Sequence, residues 1–155
     1  MRIAIYPGSF DPITIGHIDI LKRALEVFDK IIVLVALNPD KKGRFTPEEK
    51  VEMIKEAIKD LDNVEVDMYD GLTVSYAKKH NAKHLIRGLR AVTDFEYEFK
   101  LAAANSYADN DIDMVFFMAR NETSFINSST VLALHDNGVD VSSLVPPSVM
   151  KYLKR

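Results

Sequence analysis

The chain has 155 residues, no cysteine, no tryptophan and a formal net charge of −3. That length fits one domain with a full core, and the missing cysteines exclude disulfides and thiolate zinc sites, which makes a reducing cytoplasm the simplest home. The acidic balance argues against a general binder of nucleic acid or membrane surfaces, no run is long and apolar enough for a membrane span, and the first apolar run breaks at Pro7, unlike a secretory leader.

Strand-like and helix-like segments alternate along the chain. Residues 3–6 are apolar and lead into Gly8-Ser9-Phe10-Asp11-Pro12-Ile13-Thr14-Ile15-Gly16-His17, after which Ile18, Leu21, Leu25 and Phe28 recur at helical spacing. This pattern predicts a strand, a tight loop and a helix capped by Thr14. His17 then falls in the first helical turn, where backbone N–H groups lack partners and the helix dipole is positive. A phosphate suits that position, Gly16 lets it approach the backbone, and the same field favours a neutral His17 acting as a donor. From these residues alone, a capped helix with an exposed histidine satisfies the pattern equally well.

Residues 31–37 form a β-branched-rich run with no polar interruption, as a strand buried on both faces does. Thr46-Pro47-Glu48-Glu49 then combines an N-cap, a proline at the first helical position and a capping box. The helix it opens turns Val51, Ile54, Ile58 and Leu61 inward. Residues 64–69 alternate, predicting a strand with one wetter face; a short helix over 72–80 and a strand at 84–86 follow. Thr93-Asp94-Phe95-Glu96 reads as a second capping box, opening a helix through about residue 107. Residues 113–118 make a fifth strand, and 128–136 and 147–154 read as helices, the last entered through prolines 146 and 147.

Five strands separated by helices imply an α/β fold: a single Rossmann-like domain over 1–155, with an open five-stranded parallel sheet and helices on both faces. Ligands of such sheets bind at the loops leaving the C-terminal strand ends, here 8–16, 38–45, 70–73, 87–92 and 119–128. Those loops gather cations and small polar groups. Lys41, Lys42 and Arg44 lie in one, although alone they read as a solvated turn. Arg87 and Arg90 flank Gly88 and Leu89 in another, and Arg120 precedes Ser124-Phe125-Ile126-Asn127-Ser128-Ser129-Thr130 in the last. Convergence on one rim points to phosphate binding. No G-x-G-x-x-G, P-loop, H-E-x-x-H or G-x-S-x-G pattern occurs. His80 and His84 straddle a helix-to-strand junction, which speaks against a shared metal. What remains is a reaction driven by positioning and electrostatics, such as in-line transfer at phosphorus.

Thr14-Ile15-Gly16-His17 is the T-x-G-H form of the nucleotidyltransferase signature. With Tyr6-Pro7-Gly8-Ser9-Phe10-Asp11-Pro12, the run from Ile86 to Glu98, and Ser124-Phe125-Ile126, it resembles the bacterial phosphopantetheine adenylyltransferase family over nearly the whole chain. The resemblance implies adenylyl transfer from ATP to 4′-phosphopantetheine, giving dephospho-coenzyme A and pyrophosphate by in-line attack at the α-phosphorus, with no covalent enzyme intermediate. It implies His17, Lys41 and Arg90 as catalytic residues. For ATP it implies Ser9, Phe10, His17, Gly88, Leu89, Arg90 and Glu98, with Thr123, Ser124, Phe125, Ile126, Asn127, Ser128 and Ser129. For phosphopantetheine it implies Ser9, Lys41, Thr73 and Arg87. Magnesium accompanying ATP and a homohexamer follow from the same resemblance, which leaves feedback by coenzyme A open; charge and composition add the cytoplasm and neither nucleic acid nor membrane as partner.

Three positions depart from the family's pattern. Asn127 stands where a serine is usual, Thr123 where an aromatic is common, and Ala133 where sister cytidylyl- and mononucleotide adenylyltransferases carry an arginine. Ala133 counts against those sister activities. A fragment of a class I aminoacyl-tRNA synthetase shares the helix-start histidine, but this chain is short, acidic and without a K-M-S-K-S lysine. A nucleotide sensor without turnover is the remaining alternative, and a pyrophosphate-release assay separates it from an enzyme.

Overall fold

A computed structural model describes residues 1–154, apart from the side chains of Val92 and Thr93. The elements alternate as β1 (Ile3–Gly8), α1 (Ile15–Ala24), β2 (Lys30–Ala36), α2 (Pro47–Ala57), β3 (Val64–Tyr69), α3 (Thr73–Lys79), β4 (His84–Leu89), α4 (Val92–Ala108), β5 (Asp113–Met118), α5 (Ser128–Asp136) and α6 (Pro147–Leu153). All strand pairs are parallel, in the order β3-β2-β1-β4-β5, so the expected α/β, Rossmann-like sheet is the one formed.

Strand position explains strand sequence. β2 lies inside the sheet with Ile31 to Val35 all buried, and its side chains therefore do not alternate in polarity. β3 is an edge strand whose residues alternate between half-buried and exposed from Val64 to Asp67. Successive side chains of β1 enter opposite layers. Ala4 and Tyr6 join α1, α2 and α6 in the larger core through Leu21, Met53, Ile54 and Val149. Ile5 faces the smaller core with Leu34, Leu85 and Val74, Tyr76 and Ala77 of α3. Each fully buried Ile or Leu contributes about 1.5–3 kcal/mol relative to exposure, so both layers bind their helices firmly to the sheet.

The sheet order reverses between β1 and β4, and there the two strands part. They pair only at Ala4 with His84 and Ile5 with Leu85, whereas β1 continues alongside β2 as far as Gly8. Pro7, which has no N–H to give a ladder, occupies β1 beyond the last β4 pairing. Its carbonyl on that flank accepts a side-chain hydrogen bond from Arg87 at 3.1 Å. The crevice that opens is the switch point at which α/β sheets bind ligands.

Several element ends differ from the sequence reading, most by one residue, and three bear on the site. β1 runs to Gly8 and β4 to Leu89, because continued pairing with β2 and β5 carries both strands past their apolar runs. As a result Arg87 and Gly88 belong to a strand end rather than a loop. α4 begins at Val92 with Ala91 as its N-cap, one residue before Thr93. The capping box expected there depends on the Thr93 side chain, which lies outside the described residues. Asp94 instead accepts the Arg90 backbone N–H at 3.1 Å. The capping boxes at Thr14 and Thr46 are both formed.

Candidate active site

A cavity of about 360 Å³ fills the β1–β4 crevice. Its walls come from the ends of β1 and β4, the start of α1, the first turns of α4 and the start of α5. Ser9, Phe10, His17, Arg87, Gly88, Arg90, Glu98, Thr123, Ile126, Asn127, Ser128 and Ser129 all line it, bringing twelve residues singled out from the sequence into one space. Lys41, Thr73, Leu89, Ser124 and Phe125 do not line it. Leu89 is buried, while Lys41 and Phe125 are exposed. Tyr6, Thr14, Asp94 and Tyr97 line the cavity as well. Sequence reading placed Tyr6 in an apolar strand and Thr14 and Asp94 in helix caps, roles that do not report a cavity.

His17 is fixed by its own helix. The Thr14 backbone N–H donates to Nδ1 at 2.9 Å, and the Thr14 hydroxyl oxygen accepts the His17 N–H at 3.4 Å. Since a backbone amide can only donate, Nδ1 must be unprotonated, and the neutral ring carries its proton on Nε2. Burial, followed by the nearby charges of Arg90 and Arg87, pushes the imidazole down to about 4. The neutral donor expected from the helix-start position is therefore the state of this ring near neutral pH. Phe10 packs against it edge-on with ring centroids 4.9 Å apart. Phe10 is 2% exposed and adopts φ 46°, turning the backbone sharply after Ser9. A side chain on Gly8 would meet the Phe10 ring at 3.1 Å, so the tight loop and this wedge depend on each other.

Both arginines are held before any ligand arrives. The Arg87 Nε–H and one Nη2–H donate to the two oxygens of Glu98 at 2.9 and 2.7 Å, and Nη1 donates to the Pro7 carbonyl. Of the five guanidinium N–H groups these contacts use three, which leaves one on each terminal nitrogen. Glu98 is 5% exposed. Burial pulls the Arg87 pKa down, but the hydrogen bond and charge of Glu98 outweigh it and the net shift is upward. Arg90 lies 3.3 Å from Asp94 through Nε, and its Nη1 donates to the Ile126 carbonyl at 3.4 Å. Burial also raises the Tyr6 hydroxyl above its usual range, so it stays protonated beside these arginines.

The start of α5 completes the wall. Asn127 caps the helix by accepting the Thr130 N–H at 2.8 Å, so asparagine serves where serine is usual in the family. The Ser128 hydroxyl donates to the Pro12 carbonyl at 2.7 Å and ties α5 to the loop after β1. Two other cations on the rim are engaged. Arg44 pairs bidentately with Asp136, and Arg120 with Asp19. His80 stacks on Tyr76 and His84 tilts against Phe28, so these two serve packing.

A helix-start histidine and two tethered guanidiniums at the switch point of a parallel sheet form a cavity suited to holding phosphates. The matching family model is described as cytidylyltransferase-like and spans residues 5–133. The chain is 49% identical over 153 residues to the phosphopantetheine adenylyltransferase of Caldanaerobacter subterraneus subsp. tengcongensis, covering 99% of this chain and 96% of that one. It is 48% identical over 155 residues to the protein of that name from Clostridium botulinum strain Alaska E43, covering 100% and 98%. The chain belongs to the phosphopantetheine adenylyltransferase family. Among solved structures, a protein assigned as a nicotinate-nucleotide adenylyltransferase from Vibrio parahaemolyticus superposes with a TM-score of 0.73 at 20% identity, covering all of both chains, which shows the shared fold.

Proposed function

We propose that this chain transfers the adenylyl group of ATP to the phosphate of 4′-phosphopantetheine, releasing pyrophosphate and forming dephospho-coenzyme A. The carrying observation is the neutral Nε2–H of His17 in one cavity with Arg87 and Arg90, together with the family to which the chain belongs. An acceptor phosphate oxygen attacks the α-phosphorus, and the bond from that phosphorus to the bridging oxygen of the β-phosphate breaks in line. No protein nucleophile is needed.

His17 donates from Nε2 to the α-phosphate as negative charge builds on it, and as a neutral group it makes this contact without proton transfer. Arg87 turns its two remaining N–H groups to the acceptor phosphate. Arg90 serves the ATP phosphates beside the backbone and side-chain donors at the start of α5. Lys41 reaches the acceptor from its exposed loop, and Thr73 flanks the pantetheine arm. Because the guanidiniums already face Glu98 and Asp94, the cavity carries little surplus positive charge. Magnesium accompanying ATP would supply the positive charge that these paired guanidiniums do not.

The enzyme acts in the cytoplasm as a homohexamer. Support for assembly comes from α4, where Phe95, Tyr97 and Phe99 are 51–64% exposed on the single chain, an apolar surface its own sheet leaves uncovered. Among the described residues no helix is long and apolar enough to cross a membrane. Coenzyme A, which shares the pantetheine arm and the adenosine of the product, competes for the same cavity. The transfer is tested with α-labelled ATP and phosphopantetheine: label should appear in dephospho-coenzyme A and none on the protein. Label retained on the chain after denaturation would refute direct transfer.

A further inference from the structure

The Asp11 carboxylate lies at the junction of two loops. The backbone N–H groups of Arg44 and Phe45 donate to its two oxygens at 2.8 and 3.0 Å. Lys50, from the first turns of α2, brings its ammonium to 3.9 Å through a side chain only 10% exposed. The main chain at Gly43 passes so near that a Cβ there would fall 2.9 Å from an Asp11 oxygen and 3.1 Å from the Lys50 nitrogen. Residues 43–45 are also held elsewhere: Arg44 grips Asp136, and Phe45 is buried with its ring edge-on to Tyr152. Residues 38–42, by contrast, are mainly exposed and carry only a local turn, with Lys41 N–H donating to the Asn38 carbonyl at 3.2 Å.

Lys41 thus sits two residues from a fixed point. Two residues of chain span at most about 7 Å, so the latch limits where the Lys41 ammonium can go. Asp11 itself follows Ser9 and Phe10, which line the cavity. We propose that Asp11 is a positioning residue: its carboxylate latches the Lys41-bearing loop to the loop that carries Ser9 and Phe10, and so sets the position from which Lys41 meets the acceptor. The inference rests on the reading of Lys41 as an acceptor-binding residue. Charge matters to the latch, since a carboxylate accepts two backbone N–H groups and faces a nearly buried ammonium, whereas an amide offers one oxygen.

The test is steady-state pyrophosphate release by the full chain for Asp11→Asn, Lys41→Ala and the double variant. Asp11→Asn should raise KM for phosphopantetheine about tenfold, the loss expected when a charge-assisted contact is removed, and leave KM for ATP within about twofold. The double variant should be no worse than Lys41→Ala alone, because the latch has nothing to position once the lysine is gone. A double variant showing the product of the two single losses, or a KM for ATP rising as much as that for the acceptor, would overturn the proposal in favour of general support. Wild-type kinetics for Lys41→Ala would instead remove the reading of Lys41, and the latch with it. Gly43→Ala pushes the carboxylate away while keeping its charge; it should reproduce the Asp11→Asn pattern and carries the test if that variant fails to fold.

Discussion

The two nitrogens of His17 do different work, and substitutions can separate them. Nδ1 accepts the Thr14 N–H and caps α1, whereas Nε2 carries the proton that faces chemistry. Asparagine places an acceptor near the Nδ1 position but has no donor at the Nε2 position; alanine supplies neither. His17→Asn should keep the thermal midpoint within a few degrees and lower kcat by about 10²–10³, roughly 3–4 kcal/mol, as removal of one preorganised donor does elsewhere. His17→Ala should lower kcat as far and lose in addition about 1 kcal/mol of stability with the reciprocal cap. KM for ATP should move little in either, because the contact strengthens in the transition state. Steady-state pyrophosphate release and thermal melts of both variants decide the matter. A His17→Asn enzyme with near-normal kcat would refute the catalytic role of Nε2, and equal loss of stability in both variants would refute the division of labour.

Other consequences follow from the same geometry. Arg87→Ala should weaken phosphopantetheine more than ATP, and Arg90→Ala the reverse, measured by calorimetric titration; equal losses would reduce the pair to a diffuse positive patch. Arg87→Ala should also cost about 3–5 kcal/mol of stability by leaving Glu98 buried and unpaired, and Glu98→Gln in the same chain should recover part of it. Because the folded His17 pKa, about 4, lies below its ordinary value of 6.5, the unfolded chain takes up the proton first. Its contribution to stability is therefore complete above pH 6.5 and lost as pH falls through 4, by at most about 3 kcal/mol. Wild type should show this extra acid sensitivity relative to His17→Asn, and parallel acid unfolding curves would contradict it. Sedimentation equilibrium should find a particle of six chains, and Phe99→Asp should shift it to smaller species, while a wild-type monomer would refute the assembly.

The sequence was most legible where local chemistry decides the outcome. The Thr14 and Thr46 caps and the uninterrupted β2 run need no distant partner to be recognised, and they placed α1, α2 and the sheet centre. Strand ends were less legible: β1 and β4 outrun their apolar segments because pairing with β2 and β5 continues, which is a tertiary effect. Much of the cavity was readable from motifs, yet the partner of Arg87 was not. Nothing in a spacing of eleven residues says that Glu98 turns from α4 onto the guanidinium and occupies two of its donors. Tyr6 shows the converse, an aromatic in an apolar strand that the end of the β1–β4 pairing leaves at the cavity wall.

The central claim, that this cavity joins ATP to one phosphorylated acceptor, is tested most directly by pyrophosphate release with ATP and a panel of phosphopantetheine, nicotinamide mononucleotide and glycerol phosphate. Release should require an acceptor and be at least about a hundredfold faster in kcat/KM with phosphopantetheine, the discrimination that a few kcal/mol of differential transition-state binding supplies. Comparable release with all three, or none with phosphopantetheine, would contradict it.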